Sequence, residues 1–155
     1  MDKYEKILTA GWRDMDYNSH MANTAYLDRA ADVRMMYFAE NGFTAEDMLR
    51  MRIGPVIMKD EIEYYREVKL LQEIRVSFAC AGLAPDGSRF MIRNEFAHAD
   101  GHKCAVVNST GGWLDLNARK LIAPPEPLRL AMEALVKVDG FRQLRSSVLK
   151  LRTGD

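Results

Sequence analysis

The sequence predicts an α+β domain in which one long helix fills the concave face of a curved antiparallel sheet. Three observations predict it. Met21 to Glu40 contains no glycine or proline and is rich in helix formers. From Gly54 to Leu116 the apolar period switches to two, giving at least four strands separated by turn residues. The chain has 155 residues, 48 % of them hydrophobic and 28 % charged, which suits one ordinary globular domain.

The first strand is expected from Tyr4 to Trp12, running into a polar loop from Arg13 to Ser19. In the helix that follows, Ala22, Ala25, Tyr26, Ala30, Val33 and Tyr37 continue one apolar face. Leu27, Ala31, Met35 and Phe38 widen it, and Asp28, Asp32 and Glu40 form a solvent stripe. A helix apolar over so much of its circumference expects burial on several sides, and a single sheet covers only one. That excess argues for a partner subunit. Asn41-Gly42 ends the helix, and Thr44-Ala-Glu-Asp47 has the form of a capping box for a short second helix ending near Arg50.

Ile62, Tyr64, Arg66 and Val68 alternate with polar neighbours, and Ile74, Val76, Phe78 and Cys80 form the clearest strand pattern. Pro85-Asp86-Gly87 is a turn, Phe90 to His98 the next strand, and Asp100-Gly101 a two-residue hairpin. The return strand runs from His102 to about Leu116, with Gly111-Gly112 marking a bulge or a close backbone approach. After Pro124-Pro125-Glu126-Pro127, an amphipathic helix is expected through Leu128, Ala131, Met132, Leu135 and Val138, stopping at Asp139-Gly140. The reading is one domain over 1–155, with its core over about 3–125 and a helical C-terminal extension over about 126–155.

Charge and cysteine usage narrow the function classes. Twenty-two basic residues balance twenty-two acidic ones, which gives no electrostatic footprint for nucleic acid and leaves local basic patches for the phosphates of a small ligand. No apolar run reaches the roughly 18 residues of a membrane span, and the charged N-terminus lacks a secretory pattern. Cys80 and Cys104 sit in alternating apolar runs and read as buried free thiols. A cytoplasmic protein is expected. His98, His102 and Cys104 flank one tight hairpin, but alternation sends them to different faces, so no metal site is expected.

The segment Arg13-Asp-Met-Asp-Tyr-Asn-Ser-His-Met-Ala-Asn23, with Tyr26 and Arg34 beyond it, resembles the hotdog-fold acyl-CoA thioesterases, specifically the 4-hydroxybenzoyl-CoA thioesterase-like family. The family pattern is approximately Arg-x-x-Asp-x-x-Gly-His-x-Asn-Asn-x-x-Tyr, with one variable loop residue, before a helix carrying Arg. Arg13, Asp16, His20, Asn23 and Tyr26 fall at its positions. Ser19 stands where the family has glycine, and Ala22 where it has the first asparagine. Ile62-Glu-Tyr-Tyr-Arg66 and Gly112-Trp113 through Pro125 extend the likeness.

The resemblance implies a hotdog fold and hydrolysis of acyl-CoA to free acid and coenzyme A. Asp16 is then the general base or nucleophile, with His20 and Asn23 beside it. Backbone N–H groups where the helix begins, near Ala22 to Thr24, would polarise the thioester carbonyl. Tyr26 would line the acyl slot. Coenzyme A enters as part of the substrate, and no separate cofactor is implied. In the family two subunits join their sheets around paired helices, so a homodimer or homotetramer is implied. Two alternatives remain open: a non-catalytic acyl-CoA-binding module, and a hydratase or dehydratase using Asp16 and His20. Asn23 has a second reading as helix N-cap, Tyr26 as plain core, and Asp14 competes with Asp16 for the catalytic role.

Overall fold

The computed structural model describes residues 3–148. Their seven strands form one sheet, with the path β1 (Tyr4–Thr9), β3 (Glu73–Leu83), β4 (Arg89–His98), β5 (Lys103–Asp115) and β2 (Ile53–Tyr64). A short β6 (Lys120–Ile122) pairs with β5, and β7 (Lys137–Gln143) pairs with β3. The β1–β3, β3–β4, β4–β5, β5–β2 and β5–β6 pairings are antiparallel, and the β3–β7 pairing is parallel.

The long helix, α1, spans Ala25–Glu40 and packs against β1, β3 and β5. Ala25, Tyr26, Ala30, Val33 and Tyr37 are buried, as their spacing predicts, whereas Ala22 lies before the helix and is half-buried. Of the residues that widen that face, only Phe38 is buried; Leu27 and Met35 are half-buried and Ala31 is exposed. The sheet thus covers one side of α1 and leaves an apolar flank. Phe38 and Phe78 stack edge-to-face on Tyr37, and Trp113 on Phe38, so aromatic rings from α1, β3 and β5 meet at the centre. The short α2 (Ala45–Arg50) carries the expected capping box, with Thr44 Oγ1 accepting from Asp47 N at 3.1 Å and Thr44 N donating to Asp47 Oδ2 at 2.9 Å.

Four elements depart from expectation. The helix starts at Ala25 rather than Met21, because Met21 is held in an antiparallel bridge to Met15 and Ala22 N donates to Asp14 O. The first strand ends at Thr9, and Trp12–Asp14 turns as a 3₁₀ segment with Trp12 exposed. Strand β2 stops at Tyr64 rather than Val68, since the N–H groups of Tyr65 and Arg66 both donate to Cys104 O at 2.8 and 3.1 Å. The last helix, α3, covers only Glu126–Glu133. Beyond it the chain becomes β7, because Cys80 N captures Val136 O at 2.8 Å and draws residues 137–143 onto β3. The helical extension is therefore a helix followed by a strand. Of its tail, residues 149–155 lie outside the described residues.

The glycine pair on β5 serves the sheet itself. A Cβ on Gly111 would lie 2.1 Å from Val56 O, and one on Gly112 would lie 2.8 Å from Ser88 O. Both strands flanking β5 approach too closely for a side chain. The register between β2 and β5 slips between Ile57 and Lys59, opposite this pair.

Candidate active site

The loop carrying Asp16 is a tight, doubly closed excursion. Met15 and Met21 form an antiparallel bridge, and inside it Asp16 N donates to His20 O at 3.0 Å. Ser19 N returns to Asp16 O at 3.3 Å with Ser19 at φ 65°. The left-handed geometry at Ser19 explains why the family pattern has glycine there. Two outward bonds dock the loop: Met21 N to Val68 O, and Ala22 N to Asp14 O, both 2.7 Å.

The two neighbouring aspartates have separate environments. Asp14 is buried, and Arg29 grips it with Nε at 3.2 Å from Oδ1 and Nη2 at 2.7 Å from Oδ2, while Gly11 N donates to Oδ2 at 2.8 Å. Burial pushes its pKa upward, but the Arg29 guanidinium and the Gly11 N–H outweigh that and hold it below the usual carboxylate range. This aspartate fastens the loop to α1. Asp16 has a half-exposed side chain whose Oδ1 accepts from Asn18 N at 2.8 Å. Its Oδ2 accepts no hydrogen bond among the described residues, and His20 Nδ1 stands 3.9 Å away, beyond hydrogen-bond reach. That nitrogen instead lies 3.1 Å from Met21 O, which assigns it the ring proton.

Asp16 borders a depression of about 560 Å³ lined by Trp12, Met15, Tyr17, Ser19 and Leu70. His20, Asn23 and Tyr26 border a second one of about 260 Å³, closed by Tyr64 and Tyr65. The two share no lining residue, and His20 of the second stands 3.9 Å from Asp16 of the first. Asn23 is not the helix N-cap. Thr24 holds that position, in αR conformation and with no side-chain capping bond. Asn23 instead offers its carbonyl to the Tyr64 hydroxyl at 3.0 Å. Tyr26 is 3 % exposed, packs edge-to-face on Tyr64 and Phe96, and is pushed up to about 12 by burial. The bond from Ala22 N to Asp14 O removes Ala22 from the N–H groups expected to be free. The N–H groups of Asn23 and Thr24 have no acceptor among the described residues.

A second polar cluster was not legible as one in the sequence. Arg34, on α1 and 8 % exposed, donates from Nε to Asn94 Oδ1 at 2.9 Å and from Nη2 to Ser109 Oγ at 2.8 Å. Ser109 Oγ in turn donates to Asp60 Oδ1 at 2.5 Å, and Asn94 Nδ2 to Ser77 O at 2.9 Å. Burial pulls the Arg34 pKa down to about 10, against the opposing pull of Asp60. The available signal was a lone arginine between Ala30 and Phe38 on an apolar helix face.

Among the described residues no group of three or more His, Cys, Asp or Glu is placed to hold a metal ion. His98 Nε2 meets Glu67 O at 2.8 Å, and His102 Nδ1 meets Asp100 Oδ2 at 2.8 Å, so each histidine has a local partner. Both cysteines are buried free thiols, with Cys104 pushed up to about 11 by burial. No helix among the described residues is long and apolar enough to cross a membrane.

Residues 10–132 match the family model of the thioesterase-like superfamily, and the chain belongs to that superfamily. Its fold is the hotdog fold of solved CoA thioesterases. Slr0204 from Synechocystis, a 1,4-dihydroxy-2-naphthoyl-CoA thioesterase, superposes with a TM-score of 0.77 at 12 % identity, covering 86 % of this chain and 98 % of that one. The probable thioesterase YbaW from Escherichia coli gives 0.71 at 21 % identity, covering 86 % and 99 %. The hypothetical protein SAV2348 from Staphylococcus aureus, solved in complex with CoA, gives 0.78 at 14 % identity, covering 98 % and 90 %. No curated protein sequence matches the chain.

Proposed function

We propose that this protein hydrolyses acyl-coenzyme A thioesters, with Asp16 as general base or nucleophile and the N–H groups of Asn23 and Thr24 as oxyanion donors. The observation that carries the reading is the division of labour between the two loop aspartates. Asp14 is consumed by Arg29 and Gly11, whereas Asp16 Oδ2 accepts no hydrogen bond among the described residues and borders a depression of about 560 Å³. Superfamily membership and the CoA-bound neighbour support a coenzyme A ester as substrate.

As a base, Asp16 takes a proton from water as its oxygen attacks the thioester carbonyl. Negative charge gathers on the carbonyl oxygen, where unsatisfied N–H groups at the positive end of α1 are suited to hold it. Collapse of that intermediate breaks the carbon–sulfur bond and releases coenzyme A as thiolate, a good leaving group that needs no strong acid. As nucleophile, Asp16 would attack the carbonyl itself and form an anhydride that water then opens. His20, held by Met21 O, shapes the loop and borders the second depression, and Tyr26 closes the base of that depression.

The reading includes assembly as a homodimer or homotetramer. It is supported by the half-covered apolar flank of α1 and by β2, a twelve-residue strand with one edge unpaired.

The test is thiol release from aliphatic and aromatic acyl-CoA esters by wild type and Asp16→Asn. The expected loss is about 10²–10⁴-fold in kcat, the usual worth of a positioned base. Equal rates would remove Asp16 from the chemistry. Tight ester binding without turnover would favour the binding module, and hydration of an enoyl-CoA without thiol release would favour the hydratase.

A further inference from the structure

The Asp16 loop is a small antiparallel ribbon with Asp14 at its base. Its rungs are Ala22 N to Asp14 O at 2.7 Å, the Met15–Met21 bridge, and Asp16 N to His20 O at 3.0 Å. The Asp14 side chain is held by two further groups. Gly11 N donates to Oδ2 at 2.8 Å, and Arg29, on the second turn of α1, grips both oxygens through Nε and Nη2 at 3.2 and 2.7 Å. Asp32 Oδ2, also on α1, stands 3.7 Å from Arg29 Nη1 and adds a longer-range partner to the guanidinium. A two-point pair between a guanidinium and a carboxylate fixes angle as well as distance. Asp14 is buried and Arg29 half-buried, and neither lines the depression beside Asp16.

We infer that Arg29 is a positioning residue for the hydrolysis, holding Asp16 in a fixed place relative to the start of α1. The inference rests on the thioesterase reading and adds a residue to which the loop pattern assigns no role. Asp14 and Asp16 are two residues apart, at most about 7 Å of chain. A shift of the grip therefore reaches the Asp16 carboxylate through one intervening residue. The same Asp14 takes the Ala22 N–H, and Ala22 directly precedes Asn23 and Thr24, the donors proposed for the oxyanion. One ion pair thus sets the base and the oxyanion donors against a common reference on α1. Arg29 also supplies the counter-charge that a buried carboxylate requires. Positioning and neutralisation are separate effects, and substitution distinguishes them.

The experiment measures kcat, KM and thermal midpoint for wild type, Arg29→Met, Arg29→Lys and the double variant Asp14→Asn with Arg29→Met, using thiol release from acyl-CoA esters. Arg29→Met is expected to lower kcat by roughly 10- to 100-fold, the cost of a misplacement of about 1 Å, with KM changed less than about threefold. Arg29→Lys keeps the charge without the planar fork and is expected to recover part of the loss. The double variant removes the stranded charge but does not replace the grip, so its kcat is expected to stay low. A double variant with wild-type kcat would reduce Arg29 to a counter-charge and overturn the inference. A wild-type kcat in Arg29→Met, or a loss confined to KM or to the thermal midpoint, overturns it too. Hydrogen exchange supplies a readout without turnover. In Arg29→Met the amides of Asp16 and Ala22 are expected to exchange at least roughly tenfold faster, with those of β3 and β4 unchanged. Unchanged exchange at Asp16 and Ala22 overturns the inference. If Arg29→Met does not fold, Arg29→Lys carries both readouts. If wild type releases thiol from no ester, the thioesterase reading fails separately, and exchange alone decides whether Arg29 holds the loop.

Discussion

Ser19 shows how one residue can depart from a family pattern and still keep its backbone geometry. At φ 65° an L-residue bears a steric cost of about 1–2 kcal/mol, which glycine avoids at the expense of extra freedom in the unfolded chain. Ser19→Gly is therefore expected to raise stability by up to about 1 kcal/mol, and the β-branched Ser19→Val to lower it by about 1–2 kcal/mol. Urea unfolding midpoints check both, and a glycine variant less stable than wild type would show that the serine side chain contributes more than its geometry costs. At the same scale, the assignment of Asp16 over Asp14 becomes physical. Motif spacing selects Asp16 by resemblance, and the structure shows that Asp14 is committed to Arg29. A pair fifteen residues apart gave no local pattern by which Asp14 could be recognised.

Among the elements, β5 carries the tightest constraint. Its Gly111 faces Val56 O, and a methyl there would have to displace β2 from the sheet. Gly111→Ala is expected to cost at least about 3 kcal/mol, at the upper end for overpacking. Gly101→Ala, at the hairpin tip with φ 92° and open space around it, is expected to cost only about 1–2 kcal/mol. Comparable losses in equilibrium unfolding would mean that the sheet yields at Gly111. Helix α1 illustrates the opposite case, where a pattern overreaches. Residues 21–24 have the composition of a helix, but Met21 is held extended by its bridge to Met15, with its N–H on Val68 O. The helix start therefore falls at Ala25, leaving the N–H groups of Asn23 and Thr24 in the approach to it.

For the whole molecule, the apolar flank of α1 and the open edge of β2 expect a second copy of the chain. Light scattering at micromolar concentration is expected to give two or four times the 17.7 kDa of one chain. A mass of one chain would contradict the shared-interface arrangement and leave Asp16 open to solvent on one side. The C-terminal segment also acts at this scale. Its strand β7 completes the edge of β3 beyond the reach of β1, with the Leu144 N–H donating to Leu83 O at 3.1 Å. Its amphipathic helix was legible up to Glu133. The continuation as strand was not, since the parallel partner lies more than fifty residues earlier.

The order of elements from α1 to β5, the inner apolar face of α1, the capping box of α2, the hairpin turns and the Asp16 loop were determined by the sequence alone. Each depends on neighbours within a few residues, where period, turn chemistry and motif spacing act. Tertiary structure alone decided which aspartate Arg29 holds, which N–H groups lack an acceptor among the described residues and that Arg34 is buried between Asn94 and Ser109. Those outcomes depend on partners brought together by strand pairing and packing, such as Asn94 and Ser109 some sixty and seventy-five positions from Arg34. Burial and hydrogen-bond saturation are properties of the assembled sheet and helix, and local sequence carries no record of them.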